Sequence, residues 1–487
     1  MRHSFLGLGY YYVHLFSCVG DTAQSYLQPQ KIKENEGKAL STRVVIVRHG
    51  ESNFNILSKI QGRGNYDRPD LQSVLTDKGK HQAKLAGKAL ANLNIDVAYA
   101  SPLVRAQHTA KLILSENFNP PKLAATEGLL EINLNEWESM ISHDVKEQFP
   151  DKYHLWQNEP EKFQLGDRYP ILDLFEQAKA LWAEILPANQ GKTILLVGHS
   201  GINRALICSA IGIPVSLYHN IQQVNCAISV LNFQGTSIGD GVQLESLNLA
   251  SHLADISGSP LPPVKKNHNG PRLLLVRHGE TEWNRQKRFQ GQIDVPLNNN
   301  GHAQARRASE FLAKVKIDKA FSSPMLRPKD TALEILSKHP QIKLELFDEL
   351  KEISHGLWEG KFEHEIEAEF AGQLAIWQTQ PETVQMPEGE NLQQVWDRVA
   401  IVWQKIVESV PAGETALVVA HDAVNKALLC LLFGFTPEQF WVFKQGNGSV
   451  SVIDYPQGAQ GQPILQSGNI TTHLSEGVLD RTAAGAL

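Results

Sequence analysis

Apolar residues in this chain come in short unbroken runs that stop at polar turns. Val44 to Asn55 reads VVIVRHGESNFN, and Leu273 to Asn284 reads LLLVRHGETEWN. In each, aliphatic residues run into Arg-His-Gly and then an acid, a hydroxyl and an Asn, the pattern of a strand buried on both faces that ends abruptly. Thr193 to Val197 is another all-apolar run; it stops at Gly198-His199-Ser200 and gives way to a helical stripe over Ile202 to Ile211.

Elsewhere the period is helical. Thr76 or Asp77 is placed to cap a helix whose apolar stripe is Ala83, Leu85, Ala86, Ala89 and Leu90, and a second helix spans 103–114 past Pro102. Ile95 to Ala100 predicts a short strand, and a further short strand precedes Leu129 to Glu131. Ile141 to about Leu186 is helical with breaks at Pro150, Pro160 and Pro170, and strands over Ala227–Phe233 and Val242–Leu253 close the unit. Alternating strands and helices predict an α/β layered domain, with ligands just past the C-terminal strand ends, where His49 and His199 lie.

The whole plan then repeats. His49 and His278 are 229 residues apart, Arg105 and Arg327 are 222, Glu131 and Glu352 are 221, and His199 and His421 are 222. The drop puts seven extra residues in the first copy between Gly62 and Leu75. Leu244–Leu253 parallels Leu465–Leu474 at the two ends, so a whole domain is duplicated. The expected layout is an N-terminal extension over 1–40, a domain over 41–254, a Pro/Gly/Ser/Lys-rich exposed linker over 255–270, a domain over 271–475 and an uninformative tail over 476–487.

Composition narrows this further. A length of 487 residues fits two domains of roughly 200 residues each. Apolar content of 42% with 20% charged residues fits globular domains, and a net charge of -6 argues against nucleic acid as partner. Cys18, Cys208, Cys226 and Cys430 form no metal-type cluster; Cys208 and Cys430 each follow a strand-end His by nine residues and read as matching helix-core positions. The apolar start, MRHSFLGLGYYYVHLFSCVG, is too short and interrupted to predict a membrane span. It reads as a signal sequence, a transit segment or residues from an upstream start, and the expected location is cytoplasmic, or the plastid stroma for a transit segment.

Paired Arg and His at strand ends form a constellation for binding a tetrahedral dianion, because guanidinium donors match phosphate oxygens. A helix starting near Ser52 offers backbone N–H groups, and Gly50 permits close approach of the backbone to the anion. A neutral imidazole amid positive charge can attack phosphorus, and a carboxyl can protonate the leaving oxygen and then activate water. Taken singly, His199 reads equally as a core residue, Arg105 and Arg327 as helix-surface cations, Glu131 and Glu352 as strand-edge acids, and Gln61 and Gln290 as loop residues. Their joint occurrence, twice in one order, favours the site.

RHGE with Ser/Thr and then Asn four residues past the Glu, SPxxR, L-x-E and a strand-end His, in that order and twice, resemble the histidine phosphatase superfamily, also called phosphoglycerate mutase-like, over 42–254 and 271–475. The resemblance implies two tandem three-layer α/β/α domains, each with a mostly parallel sheet flanked by helices. It implies His49 and His278 as phosphorylated nucleophiles, Arg48, Arg277, Arg105 and Arg327 as phosphoryl clamps, and His199 and His421 as stabilisers of the transition state. Glu131 and Glu352 are then acid and base, while Asn55, Gln61, Asn284 and Gln290 line the phosphate pocket. No metal and no cofactor are implied; the partner is a small phosphomonoester, with neither nucleic acid nor membrane, and the two domains are placed to form an intramolecular pseudo-dimer.

Ile-Asn-Leu-Asn after Glu131 and Ile-Ser-His-Gly after Glu352 differ from the R-H-Y-G of glycolytic mutases, so hydrolysis is expected over mutase-type transfer. The tandem layout with Gln223–Val230 is similar to plant and cyanobacterial proteins related to 2-carboxyarabinitol 1-phosphate phosphatase, which implies a sugar phosphate. The copies differ: Asn135–Ser139 replaces the second copy's Gly356–Gly360, Pro328 follows Arg327, and Asp422 follows His421, where its charge is expected to raise the imidazole pKa. One domain acting as a metabolite-binding regulatory module is the other reading.

Overall fold

The computed structural model describes residues 41–64, 72–264 and 268–483. The N-terminal extension with Cys18, part of the seven-residue insertion, residues 265–267 of the linker and the last four of the tail lie outside them.

Among the described residues each copy builds six strands. The first has β1 (Thr42–Arg48), β2 (Val97–Ala100), β3 (Leu123–Ala125), β4 (Thr193–Gly198), β5 (Ile228–Phe233) and β6 (Gln243–Leu249). The second has β7 (Arg272–Arg277), β8 (Lys319–Ser322), β9 (Leu344–Leu346), β10 (Thr415–Ala420), β11 (Val450–Asp454) and β12 (Ile464–Ile470). They join into one twelve-stranded sheet in the order β3-β2-β4-β1-β5-β6-β12-β11-β7-β10-β8-β9, with antiparallel pairing of β6 and β12 at Leu247 and Gly468. Four strands of each copy run parallel, and β5 and β11 pair antiparallel to β1 and β7.

Because successive side chains point to opposite faces, Val44 and Ile46 enter one apolar core and Val45 and Val47 the other. Helices Pro170–Ala188 and Ser200–Ile211 cover one face of the first copy; Asp77–Leu90 and Val104–Leu114 cover the other. Thr76 is the cap of the Asp77 helix, accepting from Gly79 N at 3.0 Å. Pro150 and Pro170 begin helices, where a missing N–H costs nothing. Pro328 sits in the first turn of Leu326–Leu336 and is tolerated for the same reason. Cys208 and Cys430 are buried on matching helices. Among the described residues no helix is long and apolar enough to cross a membrane.

Two expectations about connecting segments are corrected. The linker is partly packed: Ala254–Ser257 is helical, Leu261 is buried, and the Pro262 carbonyl accepts from Arg272 Nη1 at 2.8 Å. The tail is also structural. Val478 is buried, Thr482 binds the loop at Gly446–Asn447 by accepting from Asn447 N at 3.1 Å, and Asp480 N donates to Glu245 Oε1 of β6 at 2.9 Å. Local composition could not reveal the role of the tail, because its partners are distant in sequence.

Candidate active site

The parallel pairing of β1 with β4 in register Arg48 to Gly198 sets the residues that follow each strand side by side. His49 and His199 stand there with ring centroids 5.1 Å apart; His278 and His421 repeat this at 5.2 Å. All four are buried.

The orientation of His49 is fixed by its own chain. Nδ1 lies 2.7 Å from the Gly50 carbonyl, and His278 Nδ1 lies 2.7 Å from that of Gly279. A carbonyl only accepts, so Nδ1 carries the hydrogen and the neutral ring has its lone pair at Nε2. In the second copy Arg327 Nε donates to His278 Nε2 at 3.3 Å, which fits that tautomer. Burial, then Arg105 and Arg48, holds the His49 pKa well below its usual value; burial, Arg327 and Arg277 do the same for His278. Both rings are therefore neutral near pH 7.

The arginines are held by backbone carbonyls. Arg48 Nη1 donates to Gln223 O at 2.7 Å and Arg105 Nη2 to Gly62 O at 2.9 Å; Arg277 Nη1 donates to Gln445 O at 2.6 Å and Arg327 Nη2 to Gly291 O at 2.8 Å. Burial lowers the pKa of Arg48, Arg105 and Arg327 to about 10, still charged at pH 7. Nε of Arg48, Arg105 and Arg277 and both ring nitrogens of His199 find no protein partner among the described residues, so the site has donors to spare. An anion satisfies such donors.

Glu131 and Glu352 lie against the first turns of the helices Ser200–Ile211 and Asp422–Leu431. Glu131 accepts from Gly201 N (Oε2, 3.0 Å) and Ile202 N (Oε1, 3.1 Å). Glu352 Oε2 instead accepts from Asp422 N at 3.1 Å and Ala423 N at 3.4 Å, one residue nearer the helix start. Asp422 acts on this carboxyl: burial first, then the Asp422 charge, raises the Glu352 pKa. His421 is lowered, by burial, Arg327 and His278, so the expected rise at that imidazole is overturned. The Asp422 carboxylate pairs with Lys426 (3.1 Å) and Arg277 (3.8 Å).

Asn55 and Gln61 join through Ser52: its Oγ lies 3.0 Å from Asn55 Oδ1 and 2.9 Å from Gln61 Oε1. Thr281 links Asn284 and Gln290 at 3.1 and 2.9 Å, and Gln290 Nε2 has no protein acceptor among the described residues. In the first copy a cavity of about 160 Å³ is lined by Gln61, Arg105, Ser73 and Glu138 among others.

Two sequence expectations about the RHG turn are corrected. The helix after Ser52 is only Asn53–Ile56, and its Asn53 and Asn55 N–H groups are used by Val74 O and Ser52 O. Gly50 is required by a neighbouring helix: an added Cβ would stand 2.4 Å from Gly79 O, as at Gly279 with Gly301 O at 2.5 Å.

Several residues escaped the sequence reading. Thr109 and Thr331 accept from Gly50 N and Gly279 N at 3.0 and 3.1 Å, and donate to Arg105 O and Arg327 O, both at 2.8 Å. Asn225 and Asn447 donate to the carbonyls of His49 and His278 at 2.9 and 3.2 Å. Arg63 Nε donates to Glu131 O at 2.8 Å and its Nη2 to Gln177 Oε1 at 2.8 Å. The second copy exchanges the types, with Gln292 Nε2 and Arg398 Nη2 on Glu352 O at 3.0 and 3.1 Å. Repetition at constant offset in the two copies was the available signal. Among the described residues no group of three or more His, Cys, Asp or Glu is arranged to hold a metal ion.

The histidine phosphatase superfamily (branch 1) model matches residues 44–248 and again 273–466. The chain belongs to that superfamily. A histidine phosphatase domain thus occurs twice, and 28% identity over 471 residues links the chain to the 2-carboxy-D-arabinitol-1-phosphatase of Triticum aestivum, covering 90% of this chain and 87% of that one. Phosphoserine phosphatase 1 of Hydrogenobacter thermophilus is 34% identical over 206 residues, 42% of this chain and 95% of its own. These relatives support phosphatase activity of the histidine phosphatase type.

Proposed function

We propose that this chain hydrolyses the phosphate monoester of a small sugar acid or related metabolite through phosphohistidines at His49 and His278. The observation that carries this is the Nδ1–H bond of each ring to the following glycine carbonyl, which leaves an Nε2 lone pair among buried arginines. Nε2 attacks phosphorus while Arg48, Arg105 and His199, or Arg277, Arg327 and His421, hold the phosphoryl oxygens. The P–O ester bond breaks, and the leaving oxygen takes the proton of Glu131 or Glu352. The same carboxylate then removes a proton from water, whose oxygen displaces Nε2 from phosphorus. The guanidiniums supply the positive charge, so no metal is needed. The sugar-acid assignment is supported by similarity along nearly the whole chain to a 2-carboxy-D-arabinitol-1-phosphatase.

A second reading gives the second domain a sensing role; the displaced Glu352 with Asp422 beside it favours that. Phosphate release from a panel of sugar phosphates in EDTA, by His49→Ala, His278→Ala and the double variant, decides. Partial loss from each and complete loss from both is expected. Full activity in the double variant contradicts the proposal, and unchanged activity in His278→Ala alone selects the sensing role.

A further inference from the structure

The corresponding segments Leu244–Leu253 and Leu465–Leu474 have no part in the chemistry above. Each carries one buried asparagine, Asn248 and Asn469, with φ of 52° and 53° inside or at the end of its strand. Both neighbouring strand pairs show register shifts. Asn is among the few residues that accept the left-handed conformation, and a bulge re-aims its side chain.

Each side chain reaches into its own domain and across to the other, and Asn469 Nδ2 also donates to Asp480 Oδ2 at 3.3 Å. Asn248 Oδ1 accepts from Val224 N at 2.8 Å, while its Nδ2 donates to Gln466 O, across the domain boundary, at 2.6 Å. Asn469 Oδ1 accepts from Gly446 N at 2.7 Å, and its Nδ2 donates to Glu245 O of the first domain at 2.7 Å. Val224 lies between Gln223, whose carbonyl holds Arg48, and Asn225, which holds the His49 carbonyl. Gly446 lies between Gln445, which holds Arg277, and Asn447, which holds the His278 carbonyl. The same loops are pinned to the opposite domain through their backbones: Gln222 N donates to Leu465 O and Lys444 N to Leu244 O, both at 3.1 Å.

We propose that each phosphoryl site is completed by the other domain, with Asn248 and Asn469 as positioning residues that fix the Arg48 and Arg277 loops against the opposite domain's last strand. The two sites are therefore mechanically linked. A shift of one domain against the other displaces the carbonyl that orients an arginine, and with it the phosphoryl clamp. This rests on the proposed reading of those arginines, but the linkage itself is a property of the loops.

Asn248→Asp and Asn469→Asp are the informative variants, since they keep the acceptor for the loop N–H and remove the donor to the opposite domain. Asn→Gly at either position tolerates the positive φ and removes both bonds without burying a charge. In the full chain, amide hydrogen exchange of residues 222–226 is expected to rise about tenfold or more in the Asn248 variants, and of 444–448 in the Asn469 variants. Inhibition by vanadate, a mimic of the five-coordinate transition state, is expected to weaken more than inhibition by inorganic phosphate, by about tenfold. It is read for the first site in His278→Ala and for the second in His49→Ala. A lesion that only lowers the folded fraction leaves that ratio unchanged. Unchanged loop exchange in the Asp variants, with or without a rise in the Gly variants, overturns the proposal, whatever the protein hydrolyses; altered exchange in the Asp variants with no measurable hydrolysis in the parent chain upholds the linkage and removes the phosphatase reading.

Discussion

Glu131 rests on Gly201 in a space that only glycine leaves: Gly201 N donates to Oε2 at 3.0 Å, and an added Cβ would stand 2.3 Å from Oε1. The second domain has Ala423 here, and Glu352 sits one residue nearer the helix start.

Gly201→Ala is therefore expected to push Glu131 toward the arrangement at Glu352. A displacement on the order of 1 Å in a catalytic group costs up to about a hundredfold. Measured in His278→Ala, kcat of the first site should fall about tenfold to a hundredfold, while inhibition by inorganic phosphate stays nearly constant. An unchanged kcat excludes Glu131 as the proton donor at this position.

Asn135 and Ser139 adopt φ of 41° and 69°, where the second domain has Gly356 and Gly360 at 52° and 81°. The backbone of the glycine version is thus imposed on Asn135, which accepts it, and on Ser139, which is strained by it. Ser139→Gly should raise the stability of the whole chain by about 0.5–1 kcal/mol, because relief of the left-handed conformation, about 1–2 kcal/mol, exceeds the about 0.4–1 kcal/mol that glycine's freer unfolded chain costs. Chemical denaturation provides the measurement, and a destabilised variant contradicts the assignment of strain.

Arg63 with Gln177 and Gln292 with Arg398 perform the same backbone support with exchanged residue types. Gln177 Nε2 holds Gly128 O and Leu130 O at 3.1 and 2.8 Å; Arg398 Nη1 holds the equivalent Glu349 O and Lys351 O at 2.6 and 2.7 Å. Arg63→Gln alone should cost the first site about tenfold in kcat. Adding Gln177→Arg should return it to within about threefold, as coupled partners do in a double-mutant cycle. Additive losses in the pair contradict the exchange.

Burial first and the Asp422 charge second shape the expected pH dependence of the second site. A proton donor works only while protonated, and burial with the Asp422 charge keeps Glu352 protonated to higher pH than an ordinary carboxyl. Asp422→Asn removes the charge and lowers that pKa, so the alkaline fall of kcat/KM should move to lower pH. It is measured in His49→Ala with one substrate throughout, reading the position of the limb and not its height. A limb that stays in place or moves upward removes Asp422 as the cause.

The strand cores and the residues at their ends were legible because burial on both faces forces continuous aliphatic runs such as Val44–Val47. His49, Arg105, Glu131 and His199 followed from ordered motifs repeated at fixed offset. What holds them did not: Thr109, Asn225 and Arg63 act through single hydrogen bonds to backbone atoms remote in sequence. Asp422 was noticed, but its effect depended on side-chain direction, which sends its charge to Glu352 and not to His421. Asn225 lay within a segment already singled out, and Asn248 within another, yet neither segment's local pattern says what it touches.

The proposed mechanism requires a covalent phosphoryl group on Nε2 of His49 and His278. Rapid quenching of the full chain during turnover of a phosphomonoester, followed by peptide mass spectrometry under alkaline conditions that preserve phosphohistidine, tests it directly. Label is expected on the peptides containing His49 and His278, lost selectively from each in its Ala variant and, with an aryl phosphate whose leaving oxygen needs no proton donor, accumulating at the first site in Glu131→Gln, where activation of water fails. Turnover with no label on either histidine, or label at another residue, contradicts it.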